Sequence, residues 1–85
     1  MKVTVLYFAR LREAVGVSRE EIELPAEVRT VGALRAWLVA RGETWAEAFG
    51  PQRRVRAAVA QDMAGDDTAL AAGAEVAFFP PVTGG

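Results

Sequence analysis

The chain has 85 residues, of which 52% are apolar, and its ten Lys and Arg side chains nearly balance its eleven Asp and Glu side chains. A chain of this size forms one small domain that buries only about 60% of its unfolded surface, which leaves little room for a deep active site. It contains no Cys and no His, which excludes disulfides, cysteine-based metal sites, a catalytic thiol and a histidine base.

The first third of the chain predicts two strands joined by a loop that contains a short helix. Residues 2–8 alternate, so that Val3, Val5 and Tyr7 share one face of a strand and Thr4, Leu6 and Phe8 share the other. Residues 9–15 are predicted to be helical, with Gly16 as the C-cap. Residues 18–24, with apolar positions among Glu residues, predict an exposed second strand.

The rest of the chain predicts one main helix and two more strands. Thr30 is the predicted N-cap of a helix over residues 31–41, which Gly42 closes. A second helical segment covers residues 44–49, strands cover residues 55–60 and 74–79, and residues 62–67 are predicted to form a turn. The aromatic residues Tyr7, Trp37 and Trp45 are expected to be core or half-buried. Asp62, Asp66 and Asp67 match no calcium loop and are expected to lie in a solvated turn.

The order strand, strand, helix, strand, strand predicts an α+β fold of the β-grasp, ubiquitin-like type. One main helix would pack on one face of a mixed sheet, and the other face would stay open. Residues 1–79 would form this domain, and residues 80–85 an extended C-terminal tail.

The tail, PPVTGG, is the segment where chemistry is expected. Two prolines favour an extended conformation, and six residues at about 3.1 Å each reach roughly 19 Å. Gly84 and Gly85 are thin enough to enter a narrow channel, and Gly85 offers an unhindered carboxylate. Such a carboxylate can be activated by ATP, but the chain has no GxxxxGK loop or evident catalytic base, so a partner would have to activate it. The alternative is an inert, frayed chain end.

No signal peptide and no run of about 18 apolar residues is present, so a cytoplasmic protein without a membrane partner is expected. The near-neutral charge also predicts no nucleic acid partner.

Two segments resemble a known family. The string EVAFFPPVTGG (residues 75–85) and the string VLYFARLREAVG (residues 5–16) resemble the small subunit of molybdopterin synthase, the MoaD type. The similarity extends over the whole chain, including VGALRAWL and AAVAQ. The FFPPVTGG ending is much more specific than a bare Gly-Gly.

The resemblance implies a sulfur carrier that binds no cofactor itself. An ATP-dependent activating enzyme (MoeB type) would adenylate Gly85, and a sulfurtransferase would convert it to a thiocarboxylate. The tail would then enter the large subunit (MoaE type), where the sulfur would pass to cyclic pyranopterin monophosphate to build the molybdopterin dithiolene. The assembly would be a heterotetramer with its active site in the large subunit, and this chain alone would catalyse nothing.

Partner-binding residues are expected along the tail and on the open face of the sheet. By alternation Phe8 and Phe79 project from the open face, and Met63 lies beside them. An apolar cluster at the base of a reactive tail is a natural docking patch, which the resemblance supports, although scattered surface residues are the alternative. The predicted partner-binding residues are Phe8, Met63, Phe79, Pro80, Pro81, Val82, Thr83 and Gly84.

One residue departs from the family pattern. Where the family commonly has V-N-Q in its third strand, this chain has Val59-Ala60-Gln61. Ala60 cannot make the hydrogen bonds of an Asn side chain, so a local contact near the base of the tail is expected to differ.

Other functions remain open at this point. A sulfur carrier for thiamine or thiolated tRNA would share the fold and the Gly-Gly end. A ubiquitin-like protein modifier would join the same activated glycine to a lysine. A plain β-grasp binding module would have an inert tail.

Overall fold

The computed structural model describes residues 1–81, and the sheet and helices within that range follow the predicted α+β order. The strands are β1 (Lys2–Tyr7), β2 (Arg19–Glu23), β3 (Arg56–Val59), β4 (Asp62–Ala64) and β5 (Glu75–Phe79). The helices are α1 (Ala9–Val15), α2 (Val31–Val39) and α3 (Glu43–Phe49). None of these helices is long and apolar enough to cross a membrane.

The five strands form one mixed sheet in which the first and last strands of the domain pair with each other. Its strand order is β2-β1-β5-β3-β4. Strands β1 and β5 are parallel and pair Leu6 with Ala77 and Tyr7 with Phe78, whereas the other neighbours are antiparallel. The first and last strands therefore lie side by side in the centre of the sheet. Because they are parallel, their C-terminal ends lie at the same edge of the sheet.

The apolar core lies between one face of this sheet and the helices. Val3, Val5 and Tyr7 are buried on β1, and Val76 and Phe78 are buried on β5. The helices contribute buried apolar residues to the same cluster, namely Leu11, Val31, Leu34, Leu38, Ala48 and Phe49. Burial of Val3, Val5 and Tyr7 confirms the alternation predicted for the first strand. Full burial of a large apolar side chain stabilises a fold by about 1.5–3 kcal/mol.

Two of the three predicted helix boundaries are confirmed. Gly16 caps α1 in the left-handed conformation at φ 82°, which glycine adopts without steric cost. The Thr30 side chain accepts a hydrogen bond of 3.1 Å from the backbone N–H of Ala33 at the start of α2. The prediction that Gly42 closes α2 is wrong, because α2 ends at Val39 and Gly42 instead precedes α3.

The turn predicted over residues 62–67 is also partly wrong. Residues 62–64 form β4, which pairs with β3 in an antiparallel hairpin. Ala60 and Gln61 join the two strands with φ 50° and 72°, so Ala60 belongs to the turn and not to the strand. The expectation that Ala60 lies near the base of the tail is wrong, because its N–H donates a 2.9 Å hydrogen bond to the carbonyl of Glu75 at the start of β5, whereas the tail follows the other end of that strand. Two consecutive positive φ values define a type I′ turn, which normally uses Asn-Gly. Ala-Gln lacks that signal, so the sequence does not reveal the hairpin.

A polar and aromatic cluster ties β2 to the ends of the helices. The hydroxyl of Tyr7 donates a 2.8 Å hydrogen bond to Glu20, and Arg41 donates two hydrogen bonds of 3.0 Å to the same carboxylate. The guanidinium of Arg41 also lies 4.4 Å from the ring centre of Trp45 and 5.1 Å from that of Trp37. As predicted, the three aromatic residues are buried or half-buried.

Candidate functional site

The candidate site lies on the sheet face that the helices leave uncovered, here called the open face. Residues that are directly paired across neighbouring strands lie on the same face of a sheet. The pairings Leu6–Ala77, Ala77–Ala58 and Ala58–Met63 therefore form one apolar row across four strands of the open face. This row could not be recognised in the sequence, because it depends on the strand order and on β4.

Two phenylalanines extend this row at the edge where β1 and β5 end. Tyr7 pairs with Phe78 on the core face, and the next residues along these parallel strands are Phe8 and Phe79. Leu6, Phe8, Ala58, Met63, Ala77 and Phe79 are here called the apolar patch. Phe8 is 46% exposed and Met63 is 59% exposed, and no residue of the patch is buried.

The position of Phe8 is set by the backbone on both sides of it. Its N–H donates a 3.1 Å hydrogen bond to the carbonyl of Phe78, and its own carbonyl accepts one of 3.1 Å from Leu11 at the start of α1. Phe8 itself is extended, whereas the following residue, Ala9, has φ 53°. The abrupt change from strand to helix fixes Phe8 beside the last strand and leaves its side chain exposed.

The predicted tail begins directly at this patch. Strand β5 ends at Phe79, and Pro80 and Pro81 follow it without regular structure and half-buried. Proline has no backbone N–H and cannot continue the ladder of a central strand, which explains why pairing stops here. The predicted site residues Val82, Thr83, Gly84 and Gly85 lie outside the described residues.

Charged side chains border the patch. Arg19 pairs with Leu6 across β1 and β2, and Arg56 pairs with Phe79 across β3 and β5. Both are exposed. The predicted docking residues Phe8, Phe79 and Met63 thus lie on one face. The alternation had placed Leu6 on the face of Phe8, but Leu6, Ala58 and Ala77 were not among the predicted docking residues.

The described part of the chain offers no cluster of acidic residues able to hold a metal ion. The arrangement of residues 1–81 suits binding to a partner: an exposed apolar surface with charged borders, next to the start of the tail.

Comparison with known proteins places the chain in a family. The model of the ThiS family matches residues 5–85. The molybdopterin synthase sulfur carrier subunit of Escherichia coli (strain K12) is 45% identical over 83 residues, which are 98% of this chain and 99% of that protein.

Two solved structures share the fold. A Pyrococcus furiosus protein described as molybdopterin converting factor subunit 1 superposes with a TM-score of 0.79 at 36% identity, covering 96% of this chain and 99% of that one. A chain in the complex of subunits 1 and 2 of the molybdopterin-converting factor from Helicobacter pylori 26695 has a TM-score of 0.67 at 26% identity, with 100% of both chains covered. The chain therefore belongs to the ThiS family and, within it, to the family of molybdopterin synthase sulfur carrier subunits.

Proposed function

We propose that this chain carries sulfur for molybdopterin synthesis as a thiocarboxylate on Gly85. The observation that carries the proposal is the position of the tail: β5 ends at Phe79 within the apolar patch, and Pro80 starts the segment that leads to Gly84 and Gly85. The family match extends through that segment to residue 85. The surface that we propose for docking thus adjoins the start of the segment that we propose to carry the sulfur.

The chemistry requires only the carboxyl group from this chain. A carboxylate oxygen of Gly85 attacks the α-phosphorus of ATP, and pyrophosphate leaves, which gives an acyl-adenylate. A sulfide-level sulfur nucleophile then attacks the carbonyl carbon and displaces AMP, which gives the thiocarboxylate. When the sulfur passes to the pterin precursor, cyclic pyranopterin monophosphate, water supplies the oxygen that restores the carboxylate.

Partner proteins perform each step. We propose an activating enzyme of the MoeB type for adenylation, a sulfurtransferase for loading, and a large subunit of the MoaE type that contains the active site, all in the cytoplasm. The Helicobacter complex of subunits 1 and 2 supports a large-subunit partner. The apolar patch would dock this chain on that subunit, in an assembly of two large and two small subunits, while the tail enters the active site.

Mass spectrometry of the intact chain tests the proposal. The chain is incubated with its activating enzyme, ATP and a sulfur source, and a variant lacking Gly85 serves as the matched control. We expect an oxygen-to-sulfur mass increase that fragmentation assigns to Gly85, and none in the control. If the full chain keeps its unmodified mass under these conditions, the carrier proposal is wrong.

The acceptor of the sulfur distinguishes this function from its alternatives. The loaded chain is mixed in separate assays with three acceptors. These are the pyranopterin precursor with the large subunit, a thiazole precursor with its own enzyme, and tRNA with its own enzyme. Molybdopterin formation supports the proposal, whereas sulfur transfer only to thiazole or tRNA assigns the chain to another pathway. Gly85–lysine conjugates in cells would identify a protein modifier.

A further inference from the structure

Exposed cations occupy the end of the open face that is next to the tail. Arg19 lies opposite Leu6 on the β2 side of the patch, and Arg56 lies opposite Phe79 on the β3 side. No ion pair within residues 1–81 involves either arginine. The apolar patch is therefore bordered on two sides by positive charge.

Exposed carboxylates occupy the next row away from the tail. Glu21 and Glu75 both pair with Thr4, one from β2 and the other from β5. Further along, Glu23 lies opposite Lys2 and 3.3 Å from the amino group of Met1, so its charge is largely balanced. Three carboxylates (Glu21, Glu23 and Glu75) thus face two cations (Lys2 and the amino group of Met1), which leaves an excess of one negative charge around Thr4.

The two groups of charges are separated along the strand direction. At about 3.3 Å per residue, Glu21 lies roughly 7 Å from Arg19, and Glu75 lies roughly 13 Å from the level of Arg56. The formal charge of the chain is only −1. The charge on the open face therefore changes sign along the strand direction, although the molecule is almost neutral. We call this arrangement the polarity of the open face.

We propose that this polarity selects the orientation in which the large subunit binds. The partner surface would have an apolar centre, carboxylates beside the opening that receives the tail, and cations facing Glu21 and Glu75. Exposed charges at the border of an interface act mainly on the association rate and on orientation. The opposite orientation would place like charges together and direct the tail away from the opening. The inference rests on the proposed function, and it adds the chemistry of the partner surface.

The association rate of the unmodified chain with the large subunit from the same genome tests the inference. Stopped-flow measurements at low and at high salt compare Arg56→Glu with Arg29→Glu, a matched change in net charge at an exposed residue of the β2–α2 loop. We expect Arg56→Glu to slow association about tenfold at low salt, with most of the difference lost at high salt, and Arg29→Glu to change it less than about twofold. Arg56→Gln should produce a smaller loss in the same direction.

A third variant separates local polarity from a uniformly acidic partner. Glu75→Arg makes the chain more positive, so a uniformly acidic partner would bind it faster. Because we place cations opposite Glu75, we expect slower association at low salt. Circular dichroism establishes that each variant is folded before its rate is measured.

Equal rates for Arg56→Glu and Arg29→Glu would overturn the inference, and so would faster association of Glu75→Arg. Either result would leave the sulfur-carrier proposal intact, because that proposal depends on loading of Gly85 and not on these charges. If the variants associate at the expected rates but the chain never acquires sulfur, the sulfur-carrier proposal is wrong and the charge arrangement of the docking surface still stands.

Discussion

Arg41 binds Glu20 through two guanidinium nitrogens, each 3.0 Å from a different carboxylate oxygen. Burial alone would raise the pKa of Glu20, but the hydrogen bonds from Arg41 and Tyr7, together with the charge of Arg41, outweigh it and hold this pKa below its ordinary value. The same burial, with the hydrogen bond to Glu20, raises the pKa of Tyr7. The phenol therefore stays protonated and acts as a donor.

Glu20→Gln is expected to lower the free energy of unfolding by about 1–2 kcal/mol at pH 7, because charge-assisted hydrogen bonds are lost. Since the pKa of Glu20 is lower in the folded state, its ionised form stabilises the fold above about pH 4.5, and this contribution disappears as the pH falls through the folded pKa. The difference between wild type and variant should therefore shrink in acid. Urea unfolding across this pH range measures it, with Glu21→Gln as the control for an exposed neighbour. A difference that is constant down to the lowest pH would contradict this role of Glu20.

The β3–β4 turn contains a residue in an unfavourable conformation. Ala60 has φ 50°, a region that costs a residue with a Cβ atom about 1–2 kcal/mol. Ala60→Gly should therefore raise the free energy of unfolding by about 0.5–1 kcal/mol even after the added flexibility of the unfolded chain. Ala60→Asn should also stabilise the protein, because Asn suits the first position of a type I′ turn.

Ala72→Gly provides the matched control for Ala60→Gly. Ala72 is exposed in a turn and is not among the residues with positive φ. Glycine should therefore destabilise the protein slightly at this position. If both glycine variants shift the urea midpoint in the same direction, the φ value of Ala60 does not limit stability.

The apolar patch should matter for binding and not for folding. Met63 is 59% exposed, so Met63→Lys should change the free energy of unfolding by less than about 0.5 kcal/mol. If the open face docks on the large subunit, the same change should weaken binding by at least about tenfold, since a lysine would be desolvated at the interface. Calorimetric titration measures the affinity.

Ala36→Lys serves as the control for Met63→Lys, because Ala36 is exposed on α2, on the helical side of the molecule. Its affinity for the large subunit should equal that of the wild type. A loss of affinity in the control alone would place the interface on the helices instead.

Alternating apolar residues made most of the fold predictable. The pattern of β1 assigned Val3, Val5 and Tyr7 to the core, and the same pattern assigned Phe8 to the open face. The segment that the sequence left uncertain is the β3–β4 hairpin, because its Ala60-Gln61 turn lacks the usual Asn-Gly signal. Strand β4 is three residues long and becomes a strand only because β3 lies beside it.

The site was predictable in part for the same reason. Phe8, Phe79 and Met63 are large apolar residues that could be recognised singly. The contribution of Ala58 and Ala77 depends on their register with Leu6, which no local pattern contains. Outside the site, the contact between Glu20 and Arg41 could not be predicted for the same reason, because it joins residues 21 positions apart.

Molybdopterin synthesis from purified components measures whether the sulfur on Gly85 is the sulfur that forms the dithiolene. Purified chain loaded with sulfur at Gly85 is mixed with the large subunit and the pyranopterin precursor, and the molybdopterin formed is quantified. Because a dithiolene contains two sulfur atoms, we expect two loaded chains to be consumed per molybdopterin. No molybdopterin should form with unloaded chain or with a chain lacking Gly85. Molybdopterin formation by the chain without Gly85, at the rate of the loaded chain, would contradict the sulfur-carrier proposal.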